Sequence, residues 1–594
     1  MALWDKIRKG IENVDLDAVK KAALDKLEEA KNSKLVSDGA AAATQGWDKL
    51  KEGVERLSAE TVKPETINDT LAPKGQAVQL PAVPAAPTPA WGKIRSLAIK
   101  GANRFVEWRE DRADAAMRPS STTYGSAEMA SARELEWAGL GVKIPRYKDG
   151  EQVYDTSGLV LGSYRRGLLT YKGDAHHLVV AASGAGKFQG GVGLWINNGL
   201  PGATVLIDPK GEAARMFAPY LDAAAVLDPW NEAGFGSSSL NLLDDLTASN
   251  PNLVDDARAL ADALIIPSGG DSHWDTTARN FLASLLIVIV LDQHEEGQRH
   301  LLRLRELVTL PWKAAGEAES MENLLTYMQS LDLAGGTVRR AASAMAGRAD
   351  KERQSIFSTM ERDTAWLESP QVQQVVTRTE LNLNEFAGMT GKTHGPVLFV
   401  VIPPRYLITH RSWLRLVIAA ASNAFKRVQV SDPDPWRRRR HIIVDEFPQL
   451  GHMSFVENDV AVARGYNIQY HLLVQNLSQL QSTYAAAWET FIANSLVQAF
   501  GVQDVFTSEY ISKMLGTTTV GALTSSGGSS SSRGGGSSSR GWSRAAAGRP
   551  LRTPDEIRTM PRQMQHIFLR GMNPIRARLI WLYEVQRRRQ APPS

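Results

Sequence analysis

The chain of 594 residues has room for two to four domains, and its 43% hydrophobic and 22% charged residues are ordinary for a globular protein. A net charge of +4 and a pI near 9.0 permit nucleic acid or an anionic membrane surface as a partner without requiring either. The absence of cysteine excludes disulfides and thiolate metal sites.

Residues 1–110 have helical periodicity but few apolar residues for a core. Trp4-Asp-Lys-Ile-Arg-Lys-Gly is echoed by Trp47-Asp-Lys-Leu-Lys-Glu-Gly and, more briefly, by Trp91-Gly-Lys-Ile-Arg. We therefore predict an N-terminal helical extension that combines amphipathic repeats with linkers. Such helices suit a membrane surface or a partner protein, and their acidic residues weigh against the membrane. Three surface helices that share only a common composition are an equally weighted alternative.

A glycine-rich turn follows the apolar run His177-Leu-Val-Val-Ala181 and reads Ala182-Ser-Gly-Ala-Gly-Lys-Phe188. Small residues allow successive backbone N–H groups to face an anion, and a lysine at this position reaches the β- and γ-phosphates. An ordinary tight turn without a ligand is the alternative. The residues predicted to bind nucleotide are Ser183, Gly184, Ala185, Gly186, Lys187 and Phe188. Phe188 stands where a P-loop usually carries Ser or Thr and has no oxygen for Mg²⁺.

The next segments alternate between short apolar runs and helical periods. Ala203–Asp208 and Ala224–Asp228 each end in an acidic residue followed by proline, which is typical of buried parallel strands that end at a functional edge. Residues 245–385 have helical periods and few β-branched runs, so we predict an all-α domain there. Within it, Phe281–Leu291 is about half the ~20 residues of a membrane span, and a buried helix is expected.

The apolar run Ile442-Ile-Val is followed by Asp445 and Glu446, which predicts the second half of a nucleotide-hydrolysing site. Asp445 is suited to hold Mg²⁺, and Glu446 is suited to orient and deprotonate the attacking water. Gln475 ends the next apolar run, so its amide is predicted to sense the γ-phosphate; a strand-end cap is the alternative. A P-loop combined with this acidic pair predicts an ATP site with Mg²⁺ as cofactor.

The alternation of strands and helices predicts an α/β fold with a doubly wound, mostly parallel sheet. Its first part is expected at residues 120–244 and its second part at residues 386–594, on either side of the all-α domain. Residues 525–539 are almost entirely serine and glycine, and we predict a flexible loop without regular structure there.

Several sequence blocks, in order, resemble the TraG/TraD-like coupling ATPases of type IV secretion and conjugation. The most distinctive block is Val444-Asp-Glu-Phe-Pro-Gln-Leu-Gly451, and others are Ile207-Asp-Pro-Lys-Gly-Glu212 and Ala463-Arg-Gly-Tyr-Asn-Ile468. The resemblance runs from about Tyr124 to Pro574. The sequence departs from the family pattern at the N-terminus. Family members usually begin with two transmembrane helices, whereas amphipathic repeats are expected in this chain.

The resemblance implies a RecA-like motor that assembles as a homo-hexamer at the inner face of the bacterial inner membrane. It implies that ATP hydrolysis, stimulated by DNA, serves to bring DNA–relaxase complexes or protein effectors to the secretion channel. An arginine from the neighbouring subunit often completes the ATP site in such rings, and the candidates here are Arg415 and Arg464; a surface salt bridge is the alternative for both. The expected location is the bacterial cytoplasm, peripheral to the membrane or held there by a partner.

Two other functions remain open at this stage. In the first, the protein is an adaptor for protein cargo and ATP only controls its assembly. In the second, it is a pump for double-stranded DNA of the FtsK kind, although the Asp-Glu-Phe-Pro-Gln-Leu block argues against that function.

Overall fold

A computed structural model describes most of the chain from Tyr124 to Arg589. Within that range it leaves out residues 139, 144–145, 149–150, 154–157, 166, 268–271, 315–318 and 533–534. The predicted helical extension, residues 1–110 with its tryptophan repeats, lies outside the described residues.

A twelve-stranded sheet forms the centre of the described fold. Its strands, in spatial order, are β1 (Leu140–Lys143), β5 (Gly167–Tyr171), β4 (Leu159–Tyr164), β16 (Ile575–Arg578), β15 (Met564–Phe568), β12 (Ser495–Phe500), β6 (His176–Ala181), β11 (Ile468–Val474), β10 (Arg440–Val444), β7 (Thr204–Asp208), β9 (Val397–Val401) and β8 (Ala224–Leu227). Two further pairs lie outside it: β2 (Arg146–Lys148) with β3 (Glu151–Val153), and β13 (Thr517–Ser532) with β14 (Gly535–Pro550).

The half of the sheet from β12 to β8 is entirely parallel, and the half from β15 to β1 is antiparallel. The strands β6, β10 and β11 are buried along their whole length, because helices cover both faces of a parallel sheet and leave no side for polar residues. The predicted α/β architecture is therefore confirmed, and β11 pairs directly with the P-loop strand β6.

Helices pack around this sheet and fill the long connection between β8 and β9. In chain order the helices are α1 (Ala132–Trp137), α2 (Gly193–Asn198), α3 (Glu212–Phe217), α4 (Leu253–Leu264), α5 (Ser272–Leu291), α6 (Leu301–Val308), α7 (Met321–Ser330), α8 (Thr337–Ala346), α9 (Asp350–Thr364), α10 (Pro370–Val376), α11 (Leu383–Gly388), α12 (Arg411–Arg427), α13 (Pro435–Arg438), α14 (Ser454–Val462), α15 (Leu477–Tyr484), α16 (Trp488–Ala493), α17 (Val505–Leu515), α18 (Pro554–Arg558) and α19 (Leu582–Arg589).

The connection from β8 to β9 contains helices and no strands among its described residues, in agreement with the helical character expected for residues 245–385. Its apolar side chains are continuous with the core around the sheet, since Leu260, Leu285 and Val400 belong to one buried cluster. Its status as a separate domain stays a prediction.

Helix α5 carries the apolar run Phe281–Leu291. Among the described residues, only the stretch His273–Leu291 is long and apolar enough to cross a membrane, and 67% of its most apolar window is buried inside the fold. Phe281 and Leu285 are in the core, which agrees with the expected buried helix.

The serine- and glycine-rich segment is the main departure from the predicted fold. Residues 525–532 and 535–539 fall within an antiparallel hairpin in which Thr517 pairs with Pro550 and Ser532 with Gly535. The prediction of an unstructured loop was wrong because it considered only apolar burial. A backbone ladder needs no apolar side chains, and the register is already set at the base, where Ser126 bridges to Thr518.

A chain of buried polar side chains crosses the middle of the sheet. His177 Nε2 lies 3.0 Å from Gln498 Oε1 and must donate to it, so His177 Nδ1 accepts from His471 Nδ1 at 3.4 Å. His471 Nε2 in turn accepts from His441 Nδ1 at 3.0 Å. The Gln498 amide continues the chain to Gln565. Each histidine is thereby held neutral, and burial lowers the pKa of His177 and of His441 to about 3.

Candidate functional site

The predicted phosphate cradle lies between β6 and the helix that follows it. Gly184 and Gly186 have φ angles of 73° and 100°, in the left-handed region that favours glycine. Lys187 is 9% exposed, and its Nζ donates to the carbonyl of Ala181 at 3.2 Å. The helix opens with a π-helical turn over Phe188–Val192, a rare conformation that is concentrated at functional sites.

The acidic pair stands directly after β10, two strands away from β6, with only β11 between them. Glu446 has φ 55°, a strained conformation for a residue with a side chain, which the surrounding turn must maintain. Its Oε1 lies 3.5 Å from Lys187 Nζ, and its side chain is 19% exposed. The P-loop lysine and the predicted catalytic base therefore share one crevice.

Two amides hold the other oxygen of this carboxylate. Gln475 Nε2 donates to Glu446 Oε2 at 2.8 Å, and Gln449 Nε2 donates to the same oxygen at 3.2 Å. Since both amides bind Oε2, Oε1 is left for the lysine or for a water molecule. Gln475 thus contacts the predicted catalytic base directly, and its role as a sensor of the γ-phosphate stays a prediction.

Asp445 lies beside Glu446 with an unusual proton affinity. Burial, reinforced by the charge of Glu446, raises the pKa of Asp445 from 3.8 to about 6, whereas the charge of Lys187 opposes this rise. A divalent cation favours the ionised form, so this carboxylate fits a Mg²⁺ ligand. No group of three His, Cys, Asp or Glu side chains suited to a metal occurs in the described part of the chain. Phosphate oxygens and water would therefore complete the coordination, since Phe188 packs near Gly193 and offers no oxygen.

Arg415 lies in the core, so its position gives no support to the predicted role of completing a neighbouring site, and that role stays a prediction. It is 1% exposed, and its guanidinium donates to the backbone carbonyls of Ala263, Ile265, Leu450 and His452. It ties the end of α4 to the turn after Glu446, and burial lowers its pKa to about 10. The amphipathic pattern of α12 could not reveal this, because the acceptors come from segments distant in sequence.

Arg464 lies at the amino ends of the parallel strands, whereas the P-loop lies at their carboxyl ends. It precedes β11 and donates to Asn494 Oδ1 at 2.8 Å, just before β12 begins. Within one chain it does not reach Lys187 or Glu446, and its role in a neighbouring site stays a prediction.

Three residues near the site were not assigned from the sequence. Gln449 belongs to the acidic block, and its position three residues after Glu446 was the available signal. Asp208 accepts hydrogen bonds from the backbone N–H groups of Glu212 and Ala214 at 3.2 and 3.0 Å, so it stabilises the turn that follows β7. Trp581 packs against the P-loop glycine Gly186, a contact across the whole chain that no local pattern indicates.

These features define a class. The parallel strands β6, β11, β10 and β7 are neighbours, and their carboxyl ends carry the glycine-rich turn, Gln475, the acidic pair and Asp208. Ligands of doubly wound sheets bind at this edge. The class is a RecA-like P-loop nucleotide-binding fold.

The particular family follows from comparison with known proteins. The sequence model of the family described as type IV secretory system conjugative DNA transfer matches residues 128–592, and the chain belongs to this family. It is 27% identical over 471 residues to the conjugal transfer protein TraG of Escherichia coli, covering 74% of this chain and 71% of TraG. It is also 27% identical over 368 residues to the type IV secretion system-coupling protein VirD4 of Bartonella quintana, covering 59% of this chain and 55% of that protein.

Solved structures share the fold. The plasmid coupling protein TrwB, in complex with a non-hydrolysable GTP analogue, has a TM-score of 0.53 at 15% sequence identity, with 78% of this chain and 96% of TrwB covered. TrwB bound to a non-hydrolysable ATP analogue gives the same TM-score at 14% identity and the same coverage. The likeness establishes the RecA-like architecture for this chain.

Proposed function

We propose that this protein is an ATP-hydrolysing coupling protein that recruits a DNA–relaxase complex or protein effectors to a type IV secretion channel. The observation that carries the proposal is the single crevice that joins Lys187, Glu446 and Gln475 in a chain of the conjugative DNA transfer family. The TraG and VirD4 relatives, named for conjugal transfer and for coupling to a type IV secretion system, support the same proposal.

Each residue of the crevice has a role in the proposed reaction. Lys187 leaves Ala181 and Glu446 to pair with the phosphates, which frees Glu446 Oε1 to orient and deprotonate the attacking water. Gln449 and Gln475 keep the carboxylate in place through Oε2. Asp445 would hold Mg²⁺, which neutralises the charge that develops on the phosphates.

Assembly and partners complete the proposal. The active form is a homo-hexamer in which Arg464 of one subunit approaches the site of the next, and single-stranded DNA stimulates turnover. The protein acts in the bacterial cytoplasm, at the membrane surface or through a partner in the secretion channel. Binding of the DNA backbone should weaken steeply as salt increases, because phosphate contacts release counterions.

The test is Glu446→Gln, which keeps the shape and the amide contacts of the side chain but removes the base. We expect ATP turnover to fall at least about a hundredfold, within the range for loss of a general base, while nucleotide affinity is kept. Turnover of the unchanged protein should rise when single-stranded DNA is added at low salt.

Two outcomes would contradict the proposal. A protein that binds no nucleotide refutes the ATPase activity. Turnover that ignores DNA, together with capture of a relaxase or effector in a pull-down, would instead favour an adaptor in which ATP controls assembly.

A further inference from the structure

A stripe of glycines on the P-loop helix brings the segment Leu579–Leu582 close to the phosphate cradle. Gly186, in the turn before this helix, and Gly190 and Gly193, within it, all face this segment. A side-chain carbon at Gly190 would lie 3.3 Å from Leu579 Cδ2 and 3.5 Å from Trp581 Cζ3, and one at Gly193 would lie 3.0 Å from Leu582 Cδ2. A side chain at Gly186 would collide with the ring of Trp581.

Trp581 is therefore fixed against the cradle by a close contact. The loop 183–187 sets where the phosphates bind, and the nucleoside must leave the cradle along a surface that borders the loop. Phe188 and Trp581 are aromatic residues next to this loop in the part of the chain that the structure describes. Phe188 packs toward Gly193, whereas Trp581 lies against Gly186 and is only partly buried, next to the phosphate cradle.

We propose that Trp581 is a stacking platform for the heteroaromatic base of the bound nucleotide. This inference rests on the proposed nucleotide binding and adds the subsite for the base. Every base offers a π-face, so stacking on an indole tolerates purines and pyrimidines alike. The platform adds affinity for nucleotides over inorganic phosphates without selecting one base.

The experiment compares two ligands, ATP and inorganic triphosphate, each with Mg²⁺, by calorimetric titration of the full chain. Trp581→Leu fills the space next to Gly186 without an aromatic face, and Trp581→Phe retains such a face. We expect Trp581→Leu to bind ATP about tenfold more weakly, equivalent to ~1.4 kcal/mol, with unchanged affinity for triphosphate. Trp581→Phe should retain most of the affinity for ATP.

The matched control is Trp137→Leu, which removes a tryptophan that is 84% exposed and lines a groove with Asp174 and Ala175, just before the amino end of β6. It should bind both ligands like the unchanged protein. Equal weakening of ATP and triphosphate in Trp581→Leu would mean that Trp581 only shapes the loop, and this would overturn the inference. Equal affinity of the unchanged protein for the two ligands would also overturn it. Binding of neither ligand refutes instead the proposed function itself.

Discussion

Lowering the pH from 7.5 to 5 is expected to unfold the protein, because its sheet buries five neutral histidines. Burial lowers the pKa of His176 to about 4 and that of His177, His441 and His566 to about 3, and it lowers the pKa of His471 well below its usual value. Nearby arginines act in the same direction: Arg464 at His176, Arg439 at His441 and His471, and Arg552 and Arg576 at His566.

Proton linkage gives the direction and the size of the change in the free energy of unfolding. The unfolded chain takes up protons as the pH falls through about 6.5 and the folded chain does not, so the stability present above pH 7 is lost below it. Each histidine that stays neutral costs ~2 kcal/mol at pH 5, and five cost ~10 kcal/mol. That is as large as the whole stability of a typical domain, about 5–15 kcal/mol.

The assay is urea unfolding at several pH values between 8 and 5. His566→Leu is the informative variant, since neither ring nitrogen of His566 has a hydrogen-bond partner among the described residues. It should gain ~2 kcal/mol at pH 5 relative to its effect at pH 8. His394→Leu, at an exposed position outside the sheet, is the control variant. A stability that varies by less than ~3 kcal/mol over this range would refute the reasoning.

Three further predictions concern the site. Asp445→Asn should stabilise the nucleotide-free protein at pH 7.5 by up to ~3 kcal/mol in urea unfolding, because the pKa of Asp445 is raised to about 6 and its ionised form is therefore costly above that pH. This cost vanishes as the pH falls toward 3.8. The partial exposure of Asp445 makes ~3 kcal/mol an upper bound. Gly186→Ala should lower the melting temperature and the nucleotide affinity more than Gly184→Ala does. Both glycines have a positive φ, but only Gly186 faces a side chain. Equal effects of the two substitutions would contradict this prediction. Arg415→Met should destabilise the fold by ~3–5 kcal/mol by leaving buried carbonyls unpaired, and a stable variant that lacks only turnover would support the predicted role in a neighbouring site.

The central sheet and the crevice could be predicted from the sequence because their determinants are local. The run His177–Ala181 and the run Ile442–Val444 are apolar enough to be buried strands, and each is followed at once by the residues that carry the chemistry. Parallel strands deliver such residues to one edge, so the meeting of Lys187 and Glu446 follows from topology alone.

The remaining features depend on contacts between distant segments. The exposed or buried state of Arg415 is decided by carbonyls from α4 and from the turn after Glu446, which no helical pattern shows. The hairpin of β13 and β14 is held by backbone pairing, to which serine and glycine contribute without an apolar signal. The π-helical turn after Lys187 likewise has no periodicity of its own.

The contact between Gly186 and Trp581 has a consequence for synthesis of the chain. The two residues are separated by almost 400 positions, and β11 and β12, which flank the P-loop strand, also come from the last third of the sequence. A nascent chain that has not yet exposed Leu579–Leu582 outside the ribosome lacks the surface that supports the glycine turn. At about 5–20 residues per second, synthesis therefore takes on the order of 20–80 s to proceed from Gly186 to Trp581. During that interval the glycine turn lacks its support, and the P-loop strand lacks both of its neighbours in the sheet.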